Sequence, residues 1–375
     1  MIMIKDRSVI VSGGGTGGHL MPALAISDLL YLNGYKVTLI TDARCKKYLS
    51  GNEIGYEKHI FNIRQPKKIL GYALCILDII RYTFVTAKII LKNNINVVIT
   101  CGGYTSAPIV LATVLTGAKL ILHEQNSYVG KANYYSSYLA TRFFLSFMHT
   151  VNLPNIAKDK IVWTGIPGRQ KSKTFNSETR IENFANKIES QEEKEKFTIL
   201  VTGGSQGASI FDAIIPELMV LLSKKYKNIE FEIFQQSRSD DYSEMLKIYK
   251  NNNIKCEIAK FFFNIEDYYK KSDFYIGRSG ASTIYDILEY QIPSIFIPYP
   301  YAKNNHQYYN ARNLEEFGAA WVIEQKNSSA EKLCAQISQV IEDKNLKYKI
   351  SSKLATIKPE SSKIILQEIQ KLFDK

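Results

Sequence analysis

Paired cysteines are missing from this chain. Its 375 residues hold five, Cys45, Cys75, Cys101, Cys256 and Cys334, scattered and without a C-x-x-C pair. That odd, unpatterned set argues against a disulfide framework or a zinc site and for a reducing compartment. The amino terminus, Met1-Ile2-Met3-Ile4-Lys5-Asp6, lacks the apolar core and small-residue cleavage site of a secretory signal, so a cytoplasmic location is expected. The apolar stretch Ile69–Leu91 is not free of charge. It carries Asp78, Arg81 and Lys88, which a membrane-spanning helix would bury at high cost. No aromatic-plus-basic sheet signature and no zinc-finger spacing supports nucleic-acid binding. Large apolar residues are nearly absent from Asn176–Lys196, which reads as a linker or a surface excursion.

What is present is glycine in two organised clusters. The apolar strand Val9-Ile10-Val11 runs into Ser12-Gly13-Gly14-Gly15-Thr16-Gly17-Gly18-His19. The arrangement returns at Phe197-Thr198-Ile199-Leu200-Val201, followed by Thr202-Gly203-Gly204-Ser205-Gln206-Gly207-Ala208 and helical spacing at Ile210, Ile214, Leu218 and Leu221. A strand–glycine–helix unit lets a ligand approach the backbone and presents it with free N–H groups and the positive end of a helix dipole. Two such openings in 375 residues predict two α/β domains of similar construction. The turn Gly165-Ile166-Pro167-Gly168-Arg169 is the expected hinge.

Apolar runs place strands at 8–12, 36–40, 96–100, 119–122, 143–146 and 160–163, then at 197–201, 230–234, 255–258, 274–277, 294–297 and 320–323. Alternating with helical periods, they imply doubly wound parallel sheets covered on both faces. Ligands of such folds bind at the carboxyl ends of the strands. The unusual residues cluster there: both glycine loops, Cys101-Gly102-Gly103-Tyr104-Thr105-Ser106, His123-Glu124-Gln125-Asn126 and Gly277-Arg278-Ser279-Gly280-Ala281-Ser282.

With 22% charged and 45% hydrophobic residues, the composition is that of a soluble protein. The net charge of +12 fits a lysine-rich solubilising surface, an anionic substrate or an acidic membrane face. In Ile69–Leu91, residues Ile69, Ala73, Ile76, Ile80, Phe84 and Ala87 share one helical face, with Lys67 and Lys68 ahead of it. This is either a crossover helix packed on a sheet or one that also offers lipid headgroups an apolar patch with basic neighbours.

Six motifs in order, GGTGGHLMPALA (14–25), GGYTSAP (102–108), HEQN (123–126), GGSQGA (203–208), RSGAST (278–283) and NHQ (305–307), carry a resemblance that spans essentially the whole chain. The sequence resembles the bacterial UDP-N-acetylglucosamine transferases that convert the lipid-linked MurNAc-pentapeptide, lipid I, into lipid II for peptidoglycan. The resemblance implies a GT-B fold, two Rossmann-like domains facing across a cleft. Residues 1–166 would bind the acceptor, a helix at about 360–375 would pack back on them, and 167–355 would bind UDP-GlcNAc. It further implies an inverting enzyme without a cofactor, peripheral on the cytoplasmic face of the cell membrane through anionic lipids. Its place would be in cell-wall biogenesis and cell division, which leaves room for other cell-wall synthesis proteins as partners. By the same resemblance Gly15, Thr16, Gly17 and Gly18 contact donor or acceptor, and Asn126, Arg169, Ser205, Gln206, Phe262, Thr283 and Gln307 fall on donor-binding positions. Phe262 would line the uracil pocket and Gln307 would meet the GlcNAc hydroxyls. Three departures stand out: Asp286 where the family usually has glutamate, Ile166 for asparagine in the hinge, and His306 where some members have glutamine.

The chemistry reads consistently from the residues. Glycosyl transfer needs a deprotonated acceptor hydroxyl and a stabilised diphosphate leaving group. No D-x-D pair is present to hold a metal on that diphosphate. The backbone N–H groups of Ser279, Gly280 and Ala281 at a helix start serve instead, with Asp286 a turn further on for the ribose diol. The plain alternative is a helix capped by Ser279 or Ser282. His19 is the expected general base, since a helix N-terminus favours the neutral imidazole; alternatively it only binds sugar or phosphate. Glu124 is the rival base, and His123 is expected to be structural. Two other readings stay open. Gly13-x-Gly15-x-x-Gly18 with Asp42 satisfies a dinucleotide-binding pattern, hence an NAD(P)-dependent oxidoreductase. A catalytically silent sugar-nucleotide-binding protein is the other.

Overall fold

A computed structural model describes residues 7–49, 55–64, 69–103, 105–168, 195–204 and 207–374. The chain divides into two compact units, Met1–Lys173 together with Pro359–Lys375, and Thr174–Lys358. In the first, seven strands form one parallel sheet: β1 (Ser8–Ser12), β2 (Lys36–Asp42), β3 (Glu57–Phe61), β4 (Val97–Thr100), β5 (Lys119–Glu124), β6 (Arg142–Leu145) and β7 (Ile161–Trp163). Their order is β3-β2-β1-β4-β5-β6-β7. The second unit holds β8 (Glu195–Thr202), β9 (Ile229–Gln236), β10 (Lys255–Ala259), β11 (Phe274–Gly277), β12 (Ser294–Phe296) and β13 (Trp321–Val322), in the order β10-β9-β8-β11-β12-β13. The two units therefore repeat one topology. In each, the strand that feeds the glycine loop lies between its successor and a strand from later in the chain, Val11 pairing with Leu39 and Ile99, and Ile199 with Ile233 and Phe274. That reversal of strand order opens a crevice at the strands' carboxyl ends.

Alternation along β1 divides the first core in two. Val9 and Val11 face the helix Gly17–Leu32 and, from the far end of the chain, Ile365, Ile369 and Leu372 of the helix Ser361–Phe373. Ile10 points to the opposite layer with Val98, Ile109 and Cys75. β3 is a strand that the apolar runs do not predict. At the sheet edge, Glu57 and Ile60 are exposed and only Phe61 is buried, so EKHIF lacks the apolar run of a central strand.

The helix Ile69–Lys92 carries apolar side chains on both faces: Cys75 and Ile90 join the core, with Ile79, Tyr82, Ala87 and Ile89 packed against it. Its buried positions include Cys75, Asp78, Thr83, Thr86 and Ile90, while Tyr72, Ile76, Leu77, Ile80, Leu91 and Phe84 (65% exposed) face outward. The polar groups inside are satisfied. Thr83 and Thr86 donate to the carbonyls of Ile79 and Tyr82 one turn back, at 2.8 and 2.7 Å. Asp78 accepts from the Arg64 backbone N–H at 3.0 Å and from its guanidinium at 2.8 and 2.7 Å, and this holds its carboxyl below the usual carboxylate range. The apolar face read from the sequence is thus mostly the outer one: Ala73, Ile76, Ile80 and Phe84 are exposed. Lys67 and Lys68 lie outside the described residues, as does the linker Asn176–Lys196 up to residue 194. Among the described residues no helix is long and apolar enough to cross a membrane.

Candidate functional site

In the first unit the glycine loop leaves β1 and enters the helix Gly17–Leu32 through Thr16, whose extended backbone (φ −147°) places it at the N-cap. Its hydroxyl does not cap the helix; it meets His19 Nδ1 at 2.8 Å. His19 is thereby oriented by a residue of the loop itself, with its ring half-buried. The second wall is the turn after β4. Gly103 adopts φ +89°, and a Cβ there would lie 2.1 Å from the Gly14 carbonyl oxygen, so the two loops touch backbone to backbone.

Beside this wall β5 ends in His123 and Glu124, both buried. Glu124 Oε2 accepts from the Gly130 N–H at 2.9 Å and from Asn133 Nδ2 at 3.0 Å, and Oε1 accepts from the Asn126 N–H at 3.2 Å. Burial pushes its carboxyl above the usual range, against these bonds to the charged form. His123 meets Ser146 Oγ through Nε2 at 3.2 Å, and burial lowers its pKa to about 3, a neutral structural ring. Asn133, which the sequence reading passed over, joins the elements. It also donates to the His123 carbonyl at 3.0 Å, and both its terminal atoms lie 3.5 Å from where Gly102 would carry a Cβ. His19 Cδ2 lies 3.2 Å from that same point. Thr16, His19, Gly102, Asn133, Glu124 and Asn126 therefore form one constellation at the carboxyl ends of β1, β4 and β5. Gly15 in the loop and Gly17 at the helix start are half-buried, and Gly18 is exposed.

In the second unit the equivalent crevice lies at the ends of β8 and β11. Ser205 and Gln206 fall outside the described residues, as does Arg169. The rest of the loop is clamped by Gln236 at the end of β9, also unanticipated. Its Oε1 accepts from the Gly203 N–H, and its Nε2 donates to the carbonyls of Gly204 and Lys260, all at 2.9 Å. After β11 the chain enters the helix Ala281–Tyr290 with Gly280 as N-cap and no side-chain cap. This overturns the alternative of a serine cap. Ser279 Oγ instead donates to the Gln307 carbonyl at 2.8 Å, and Asn310 Nδ2 donates to the Ser279 carbonyl at 3.1 Å. The first intrahelical bond runs from Ile284 N–H to Gly280. The N–H groups of Ala281, Ser282 and Thr283 consequently have no partner within the helix, as at any helix N-terminus, and can accept an anion.

Around this N-terminus, Gln307 is held by its backbone and by its side chain, whose Oε1 accepts from the Tyr299 N–H at 3.0 Å. Asp286 is partly buried one turn into the helix. Its charge helps to raise the hydroxyl pKa of Tyr269 and Tyr275, though burial is the larger cause in both. The Tyr275 hydroxyl meets Thr202 Oγ1 at 2.6 Å, and Thr283, in the first turn of the helix, is half-buried. Phe262 is buried with its ring 4.3 Å from Tyr268, and it is Phe261 and Phe263 that are exposed (53% and 90%). Among the described residues no group of His, Cys, Asp or Glu side chains is arranged to hold a metal.

Comparison with known proteins follows this division. Residues 9–145 match the glycosyltransferase family 28 N-terminal domain and residues 198–365 the glycosyltransferase family 28 C-terminal domain. A relative from Rickettsia bellii (strain RML369-C) is 34% identical over 367 residues, covering 98% of this chain and all of its own. One from Rickettsia prowazekii (strain Madrid E) is 36% identical over 384 residues, 97% and 98% of the two chains. Both are named UDP-N-acetylglucosamine--N-acetylmuramyl-(pentapeptide) pyrophosphoryl-undecaprenol N-acetylglucosamine transferase. The crystal structure of Acinetobacter baumannii MurG superimposes with a TM-score of 0.75 at 23% identity, over 98% of this chain and 99% of that one, a likeness of fold.

Proposed function

The chain belongs to glycosyltransferase family 28, and we propose that it transfers GlcNAc from UDP-GlcNAc to the MurNAc 4-hydroxyl of lipid I, with inversion, to form lipid II. The observation that carries this reading is the end-to-end match to relatives of that name. The geometry of each unit supports it. The first unit binds the acceptor, and His19, held by Thr16, takes the proton from the attacking hydroxyl. Glu124 is a positioning residue, because its oxygens are already committed to Gly130, Asn133 and Asn126.

The second unit binds the donor. As the bond from the anomeric carbon to the diphosphate breaks, negative charge grows on the leaving group. The open N–H groups at the start of Ala281–Tyr290 stabilise it without a metal. Asp286 takes the ribose diol and Gln307 the sugar hydroxyls. The oxidoreductase reading loses its ribose-binding acid, since Asp42 is buried and bonded through both carboxylate oxygens to Arg44.

The enzyme works on a lipid-tethered acceptor, and the outer face of Ile69–Lys92 meets that demand. Its exposed apolar side chains adjoin Leu111, Val114 and Leu115, exposed on the helix Ser106–Thr116 that packs beside it. With Arg81 and Lys88 also exposed, the face suits an anionic bilayer surface on the cytoplasmic side. Radiolabelled transfer from UDP-GlcNAc to synthetic lipid I tests the activity. Binding of UDP-GlcNAc without transfer would favour a silent sugar-nucleotide-binding protein.

A further inference from the structure

Arg278 opens the RSGAST motif, and the mechanism above leaves it without a task. The residue is buried, 6% exposed. Nη1 donates to the carbonyls of Ile297 and Pro298 at 2.8 and 3.1 Å, and Nη2 donates to Gln325 Oε1 at 2.7 Å. The rings of Phe211 and Tyr299 lie 5.4 and 5.5 Å away, within cation–π range. Every one of these partners is neutral, and no ion pair reaches Arg278 among the described residues. Burial accordingly lowers its pKa with no carboxylate to oppose it. A buried cation left unpaired is costly, and proteins normally pair one. Here the pairing would need only a single atom changed, since a glutamate in place of Gln325 would set a carboxylate at 2.7 Å. The site holds the guanidinium without neutralising it, two residues before the open helix N-terminus at Gly280, where positive potential already accumulates.

The geometry points to Arg278 as a positioning residue for the donor. Its guanidinium anchors the segment from Ile297 to Gln307 and keeps buried an unneutralised positive charge that the nucleotide's diphosphate balances on binding. The anchoring half follows from the bonds: Ile297 and Pro298 begin the segment whose far end, Gln307, is tied to Ser279 and Tyr299. The charge half rests on the reading of the second unit as the UDP-GlcNAc site.

The decisive variant is Gln325→Glu, which is nearly isosteric, keeps every bond of Arg278 and removes only the net charge. Calorimetry with UDP and with uridine, which lacks the diphosphate, should show UDP affinity falling roughly tenfold while uridine affinity stays within about twofold and Tm is not lowered. Arg278→Lys keeps the charge but not the planar fork. It should hold the UDP-to-uridine ratio within about threefold of the parent while raising the KM for UDP-GlcNAc, as the anchored segment loosens. Unchanged UDP affinity in Gln325→Glu, or parallel loss of UDP and uridine, would overturn the inference and reduce Arg278 to a structural strut. Failure of the unaltered protein to bind UDP at all is a different result, one that overturns the donor reading and this inference with it.

Discussion

Gly102→Ala tests whether the placement of His19 matters for turnover. Gly102 has φ +86°, and the added Cβ would lie 3.2 Å from His19 Cδ2 and 3.5 Å from the terminal atoms of Asn133. Two costs follow. A side chain in the left-handed region costs about 1–2 kcal/mol. The methyl also presses on the His19 ring, which must yield by a few tenths of an ångström. Gly117 isolates the first cost: it has φ +74° with nothing within 4 Å of its ideal Cβ. Gly117→Ala should therefore lower Tm by about 2–8 °C for a unit of this size, and Gly102→Ala by at least as much. Only Gly102→Ala should slow chemistry. Displacement by 1 Å costs roughly 10²-fold, so a few tenths should lower kcat by about 3- to 10-fold. The assay is steady-state transfer to a lipid I analogue for both variants, with UDP affinity measured alongside. Equal kcat in the two variants, or a loss of UDP affinity in Gly102→Ala, would refute the reasoning.

His19→Ala should lower kcat by roughly 10²–10⁴-fold with UDP affinity unchanged; an effect confined to KM would make the ring a binding group. Asp286→Ala should weaken UDP-GlcNAc by about 10- to 150-fold and leave the acceptor KM alone, and an unaltered donor affinity would remove Asp286 from the ribose site. Activity should survive EDTA, because backbone N–H groups at the start of Ala281–Tyr290 carry the diphosphate; loss that Mg²⁺ restores would contradict this. Binding to anionic vesicles should be strong at low salt and weak at high salt. Replacing Ile76, Ile80 and Phe84 with serine, and Arg81 and Lys88 with glutamine, should abolish it without affecting UDP affinity. Parental pelleting by that variant would place the membrane face elsewhere.

Much of this protein is written locally. Strand, glycine loop and helix are neighbours in the chain, so apolar runs and glycine spacing are enough to predict both openings and the parallel α/β class. Each strand expected from an apolar run has a counterpart in the structure. β3 escaped because an edge strand needs little apolar surface and EKHIF has little to show. His19 was legible because it closes its own loop. Asn133, Gln236 and Gln325 were not, because a lone amide carries no pattern. Each acquires its role only when folding brings it to backbone or side chains far away in sequence, as Gln325 meets Arg278. The helix Ile69–Lys92 marks the division most sharply. Its sequence determined that one face is apolar, but not which way that face would turn. Tertiary structure decided it: Cys75, Ile79, Tyr82 and Ile90 pack into the core and Asp78 is satisfied there by Arg64, which leaves Ile76, Ile80 and Phe84 to the solvent side.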